Sequence, residues 1–269
     1  MNHELLPVAL EALEAARQAL PRQSRRVIDT KSSATDPVTA ADRALEQAIR
    51  ATIATHRPTD IFVGEEYGTT GEPSATRWIV DPIDGTVNYS YSIPSYAISI
   101  AAEVDGSIDV GLVYDVGHGE LFKAVRGQGA TCNDVPIRVS QETDLAKALI
   151  ATGFGYLPQN RRLQARVLGE MIDEIRDIRR FGAAAIDICW TAAGRVDGYF
   201  ETGLKVWDWA AASLIASEAG ATVTTDLPGI GDDPLTVVAG EGLFTTLRSR
   251  VSDLYQTLTS EPANDKAGR

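Results

Sequence analysis

The segment Trp78-Ile79-Val80-Asp81-Pro82-Ile83-Asp84-Gly85-Thr86-Val87-Asn88 begins as a strand and is then forced to turn. Trp78 to Val80 are residues of a short buried strand. Pro82 holds Asp81 extended and has no N–H for a ladder, so the strand is expected to stop pairing there. Gly85 admits an unusual backbone angle or a close ligand approach, and Thr86 suits a helix start whose first N–H groups point outward. Taken alone, Asp-Pro-x-Asp-Gly-Thr reads equally well as a surface turn. Its surroundings must decide.

Upstream, Leu5, Ala9, Leu13, Ala16 and Leu20 recur at helical spacing and predict an amphipathic helix ended by Pro21. A second helix is expected from about Thr39 through Leu45 and Ile49, closing before Pro58. Ile61-Val63 and Trp78-Val80 read as strands running into acidic residues, Gly64-Glu65-Glu66 after the first and Asp81 after the second. Residues 96 to 125 alternate as an antiparallel meander with tight turns at Asp105-Gly106 and Gly117-His118-Gly119. From Ala148 onward strand and helix alternate: Ala148-Ala151, a helix from Arg161 to Ile175, another across Ala184-Ala193, then Val196-Phe200 and Ala210-Ala219. Asp226 to Pro234 reads as a loop, and the tail after Ser260 as frayed. The pattern is mixed α/β (α+β). Residues 1–145 are expected to form an N-terminal α+β half and 146–269 a C-terminal α/β half, packed as one globular unit.

A chain of 269 residues, 44% hydrophobic, can bury a sizeable core. No apolar run is long enough to span a bilayer and the start, Met1-Asn2-His3-Glu4, has no signal-peptide pattern, so a cytoplasmic protein without membrane contact is expected. Cys132 and Cys189 are far apart and fit reduced structural thiols. The net charge of −12 argues against a nucleic-acid partner. It would also repel an anionic ligand, so any phosphate must be drawn in locally, by bound cations.

Around the quoted segment stand Asp36-Pro37-Val38-Thr39-Ala40-Ala41-Asp42, Gly64-Glu65-Glu66 and Val206-Trp207-Asp208. Thr39 and Asp42 alone could be a capping pair, Glu65 and Glu66 a solvated loop, and Asp208 a helix N-cap. Gathered together, carboxylates repel: two charges ~4 Å apart oppose each other by about 4 kcal/mol at an effective dielectric near 20, so they demand protons or cations. The three histidines lie away from these segments, and an oxygen-only set favours Mg²⁺ over Zn²⁺, with Mn²⁺ a substitute and no EF-hand spacing for Ca²⁺. Two carboxylates opposite helix-start amides are what a metal-bridged phosphoryl group requires.

From Lys31 to Glu218 these segments resemble, in order, the inositol monophosphatase family. The quoted stretch is similar to its first signature, and Val206-Trp207-Asp208-Trp209-Ala210-Ala211-Ala212 with Glu218-Ala219-Gly220 to its second. Thr152-Gly153-Phe154-Gly155-Tyr156 and Arg195-Val196-Asp197-Gly198-Tyr199-Phe200-Glu201 are similar to the bacterial inositol-1-monophosphatases. The resemblance implies a five-layer αβαβα sandwich of the sugar-phosphatase type, a homodimer, lithium sensitivity, and hydrolysis of a small phosphorylated polyol, inositol-1-phosphate foremost. It implies that Glu65, Asp81, the Ile83 carbonyl, Asp84 and Asp208 hold two or three Mg²⁺. It gives catalytic roles to Glu65, Thr86 and Asp42. Substrate contacts would come from Asp84, Gly85, Thr86, Gly182, Ala183, Ala184, Glu201 and Asp208.

Ala183 departs from the family, whose members often carry Ser or Thr there. Arg180 corresponds to an arginine that in relatives lies at the subunit interface beside the active site. Lys205 is expected to be solvated, Trp207 and Trp209 to be core, and His118 to be exposed and inert. Histidinol phosphate, fructose 1,6-bisphosphate and 3′-phosphoadenosine 5′-phosphate are alternative substrates for the same chemistry. A metal-stabilised binding protein without turnover is the alternative of another class.

Overall fold

In a computed structural model of the chain, described for residues 4–21, 29–30, 37–38 and 40–260, the alternation in one strand sorts the core. Trp78 and Val80 of the strand Thr76–Asp84 face one hydrophobic cluster and Ile79 faces another, because successive side chains leave opposite faces of a sheet.

In chain order the elements are α1 (Leu5–Ala19), β1 (Asp29–Thr30), β2 (Pro37–Val38), α2 (Ala40–His56), β3 (Ile61–Gly64), β4 (Gly68–Thr70), β5 (Thr76–Asp84), α3 (Thr86–Ser90), β6 (Ala97–Val104), β7 (Ser107–Asp115), β8 (Glu120–Val125), β9 (Ala130–Cys132), β10 (Val135–Pro136) and β11 (Leu149–Thr152). There follow α4 (Pro158–Met171), β12 (Asp177–Arg179), α5 (Ala184–Ala192), β13 (Gly198–Thr202), α6 (Val206–Glu218), β14 (Ala221–Ile230), β15 (Asp233–Gly240) and α7 (Glu241–Ser260). One mixed sheet runs β10-β9-β8-β7-β6-β5-β3-β4, with only β3 and β5 parallel; a second runs β12-β11-β13-β15-β14.

Three clusters set the layers. Leu5, Leu13, Leu45 and Ile49 of α1 and α2 pack with Trp78, Ile100 and Leu112 on one face of the larger sheet. Its other face meets the small residues of α5 and α6, which also touch Tyr199 and Val238 of the second sheet. Beyond that sheet, Val167 and Met171 of α4 and Leu243, Leu247 and Val251 of α7 close the stack. The order is therefore αβαβα, as the resemblance implies. The middle layer is thin because its helices are alanine-rich: a Cβ on Gly111 of β7 would lie 2.5 Å from the Ala211 carbonyl oxygen of α6. Among the described residues no helix is long and apolar enough to cross a membrane.

Several sequence expectations shift. The strand expected at Trp78–Val80 continues to Asp84; pairing of Asp81 with Ser99 breaks at Pro82 and Ile83 and resumes at Asp84 with Ala97. The helix expected at 161–175 runs Pro158–Met171, because Pro158 occupies a first-turn position where its missing N–H is harmless. The expected loop 226–234 is mostly strand: β14 and β15 form a hairpin turning at Gly231, with irregularities beside Leu227, and Leu227 and Ile230 cover the third cluster. As the sheet edge, β14 tolerates Pro228 and Gly229. Lys31, Asp36, Thr39 and the tail after Ser260 lie outside the described residues.

Candidate active site

The irregular end of β5, the start of α3 and the N-terminal ends of α5 and α6 meet at one cavity of about 470 Å³. Pro82 has no N–H to give, and Asp81 Oδ1 accepts instead from the Ile83 N–H at 3.0 Å, which curls the strand end inward. Gly85 follows with φ +91°. A side chain there would press within 3.1 Å of Ala183 Cβ and the Gly182 oxygen, so glycine is required twice over. From α3, Asn88 Nδ2 donates to the Ser95 and Phe181 carbonyls at 2.7 Å each, tying the turn to the loop before α5.

All the site residues expected from the sequence except Asp42 line this cavity: Glu65, Asp81, Ile83, Asp84, Gly85, Thr86, Gly182, Ala183, Ala184, Glu201 and Asp208. Asp42 stands one residue behind the wall, fully buried, with Oδ1 3.2 Å from Thr86 Oγ1; that hydroxyl also lies 3.0 Å from the Ile83 carbonyl. Asp84 reaches the start of α5, its carboxylate accepting from the Ala184 and Ala185 N–H groups at 3.2 and 2.6 Å. Asp208 is not the N-cap of α6. Lys205 holds that position, and its N–H donates to Asp208 Oδ2 at 2.6 Å. Glu201 Oε2 accepts from the Tyr199 hydroxyl at 2.6 Å in the space left by Gly153, where a Cβ would come within 1.9 Å of it.

The electrostatics are those of crowded, desolvated acids. Burial raises the Asp81 pKa well above the carboxylate range, and the charges of Glu65, Asp84 and Asp208 raise it further. Burial likewise raises Asp208, helped by Asp84 and Glu65. Asp84 is lifted by burial to about 7, against the opposing pull of the Ala185 N–H. Glu201 is lifted by burial to about 7, opposed by the Tyr199 hydrogen bond and by Arg180. Among the described residues no three Asp, Glu, His or Cys side chains close into a compact ligand shell. The carboxylates instead stand around the wall, and a cation among them would favour their charged forms. The donor chemistry fits a hard cation: six carboxylate residues and Ile83 line the cavity, with neither histidine nor cysteine.

A family model described as the Inositol monophosphatase family matches residues 2–259. The chain belongs to the inositol monophosphatase family. Inositol-1-monophosphatase SuhB of Mycobacterium tuberculosis is 44% identical over 221 residues, 79% of this chain and 76% of that one. A relative in Pasteurella multocida bearing the name Nus factor SuhB is 42% identical over 225 residues, 81% of this chain and 84% of that one. Among solved structures, the extragenic suppressor protein suhB from Bartonella henselae superposes with a TM-score of 0.82 at 35% identity, covering 96% of this chain and 100% of that one. Members of this family are in general metal-dependent phosphatases.

Lys205 is exposed, as expected, and still borders the cavity with other residues. Lys205 lines the wall, with Nζ 3.7 Å from Asp233 Oδ1, and Asn160 Nδ2 donates to Asp233 Oδ2 at 3.0 Å. Asn160 and Asp233 lacked any sequence signal, one being in a helix and the other in an expected loop. Trp207 and Trp209 pack on the core between the sheets, and Trp207 lines the cavity as well. Asp187 of α5 is buried behind the wall with neither carboxyl oxygen hydrogen-bonded, and burial, then Glu201 and Asp84, push its pKa well up. His118, expected to be inert, sits with Nδ1 2.9 Å from Oδ2 of the buried Asp115 and its ring edge-on to Trp190.

Proposed function

We propose that the chain is a Mg²⁺-dependent phosphomonoesterase that hydrolyses inositol-1-phosphate to inositol and phosphate. The observation that carries the reading is the convergence of Glu65, Asp81, Asp84 and Asp208 on one cavity whose other wall is the Gly182–Ala184 loop and Glu201. Glu65, Asp81, the Ile83 carbonyl, Asp84 and Asp208 would hold two or three Mg²⁺, with Mn²⁺ a substitute. When bound, the cation lowers the pKa of the attacking water and offsets charge on the phosphoryl and leaving oxygens.

This chain's own residues then do the following. Glu65 takes the water's proton, and the Thr86 hydroxyl, held by Asp42, orients that water for in-line attack on phosphorus. The new phosphorus–oxygen bond forms as the bond to the inositol oxygen breaks, and a second water protonates the alkoxide, its hydroxide taking back the proton held by Glu65. No phosphoenzyme arises. Gly85 and Thr86 contact the phosphate. Inositol hydroxyls meet Asp84, Asp208, Glu201 and the backbone of Gly182, Ala183 and Ala184. A homodimer working in the cytoplasm belongs to the same reading.

The test is phosphate release with and without Mg²⁺ from inositol-1-phosphate, histidinol phosphate, fructose 1,6-bisphosphate and 3′-phosphoadenosine 5′-phosphate, with Li⁺ as inhibitor. Inositol-1-phosphate is expected to give the highest kcat/KM. Another substrate in first place changes the specificity but keeps the chemistry. No release from any of them, with metal demonstrably bound, leaves a non-catalytic binding protein.

A further inference from the structure

Glu46 is a carboxylate buried to 0% exposure with no place in the chemistry above. It lies one helical turn after Asp42 on the same face of α2, as residues four apart do. Its oxygens accept from two backbone groups of the turn between β3 and β4: the Glu66 N–H at 2.7 Å and the Tyr67 N–H at 3.2 Å. Arg50, another turn along, pairs with the same carboxylate at 2.9 Å and carries the grip onward, donating to the Gly68 carbonyl and to Thr70 Oγ1 at 2.6 Å each. The turn has made room for this. A Cβ on Gly64 would come within 2.1 Å of Glu46 Oε1.

The residue between Gly64 and the two gripped amides is Glu65, whose own N–H is bonded to the Val80 carbonyl at 3.3 Å. Its backbone is therefore pinned on one side by β5 and on the other by Glu46. We propose that Glu46 is a positioning residue that aims Glu65 into the cavity. The same helix then aims two groups, Thr86 through Asp42 and Glu65 through Glu46. The inference rests on the reading of Glu65 as a cation ligand, and its action is through Glu65 alone. A carboxylate is needed because it accepts from two N–H groups and Arg50 at once, whereas an amide would turn one donor toward another donor.

The test uses the full chain and Mn²⁺ alone, titrated into the wild type and Glu46→Gln and followed by electron paramagnetic resonance. Outer-shell partners of metal ligands typically change affinity by about 10-fold to 100-fold. Glu46→Gln is expected to weaken Mn²⁺ binding by at least about tenfold, and to raise the Mg²⁺ needed for half-maximal phosphate release more than it lowers kcat at saturating Mg²⁺. Leu247→Ala, a buried change in the distant cluster under α7, serves as the control. It should lower the melting temperature and leave Mn²⁺ affinity alone. Unchanged Mn²⁺ affinity in folded Glu46→Gln overturns the proposal, as does a wild type that binds no Mn²⁺. A wild type that binds Mn²⁺ but releases no phosphate removes the hydrolytic reading and leaves Glu46 to be judged on affinity. Should Glu46→Gln not fold, amide exchange in the metal-free wild type decides. Slow exchange at Glu66 and Tyr67 upholds the clamp and fast exchange overturns it.

Discussion

Thr86 Oγ1 lies 3.2 Å from Asp42 Oδ1, and both residues are buried though 44 positions separate them. A hydroxyl so held has a fixed direction, which is what orienting a water demands. Thr86→Ala is expected to lower kcat by about 100-fold, on the scale of a misplaced attacking group, with little change in KM. Thr86→Ser keeps the hydroxyl and should recover most of the rate. Steady-state kinetics at saturating Mg²⁺ checks both.

Asp84→Asn tests the carboxylate that joins β5 to α5. It should leave the fold intact and cut turnover at least ~100-fold, on the scale of lost electrostatic stabilisation. Without metal, removing a buried acid whose pKa is pushed to about 7 offsets the poorer hydrogen bonds to Ala184 and Ala185. The metal-free melting temperature should therefore stay close to wild type, while the rise in melting temperature on adding Mg²⁺ shrinks. Turnover near wild type would place the cations elsewhere.

Gly153→Ala probes the polyol end. The new methyl would collide with the Glu201 carboxylate, which must swing away from Tyr199. The effect is expected mainly on KM for inositol-1-phosphate, rising about tenfold for the lost hydrogen bond to a charged group, with kcat falling less. Equal losses in both constants would mean that Glu201 acts in the chemical step.

Glu201 also predicts a pH dependence in the metal-free protein. Burial raises it from 4.5 to about 7, so the folded chain holds that proton more tightly than the unfolded chain. Its contribution to stability is complete below pH 4.5 and is lost as pH climbs to 7. Glu201→Gln removes this slope. Melting curves from pH 4.5 to 8 should decline less steeply for the variant than for the wild type, and parallel curves would refute the shift.

His118→Ala leaves the buried Asp115 without its imidazole partner. The His118 backbone N–H, which the variant keeps, still donates to Asp115 Oδ1, and the imidazole is half exposed, so stability is expected to fall by only about 1 kcal/mol. Denaturant unfolding measures it. Phosphate release per folded molecule should be unchanged, since His118 does not line the cavity.

The first helix, the strands and the acids at their ends were legible for a common reason, whereas the layer order and the full carboxylate set came only with the family resemblance. The apolar run Trp78-Ile79-Val80, helical spacing from Leu5 to Leu20, and acids at strand ends are local patterns that burial obliges a sequence to display. What stayed hidden depends on contacts between distant segments. Asp233 looked like part of a Gly/Pro loop because β14 hides its pairing behind Pro228 and Gly229, which only an edge strand accommodates. Glu46 owes its place to Gly64 and to the amides of Glu66 and Tyr67, and His118, exposed as expected, gains its role only from the buried Asp115; both depend on contacts that no local pattern records. Asp208 shows the limit of a one-turn signal: an Asp near a helix start fits both N-cap and third position, and only the Lys205 backbone tells them apart.

The contact of Gly111 with Ala211 gives α6 no slack against the larger sheet. Since α6 carries Asp208 in its first turn, that seam acts as a sighting line: its missing side chains set the direction of a carboxylate about a turn away. A methyl added at position 111 would push α6 off the sheet, and Asp208 with it. For anyone seeking new substrates on this scaffold, the glycine-alanine seam is calibration and should be left untouched.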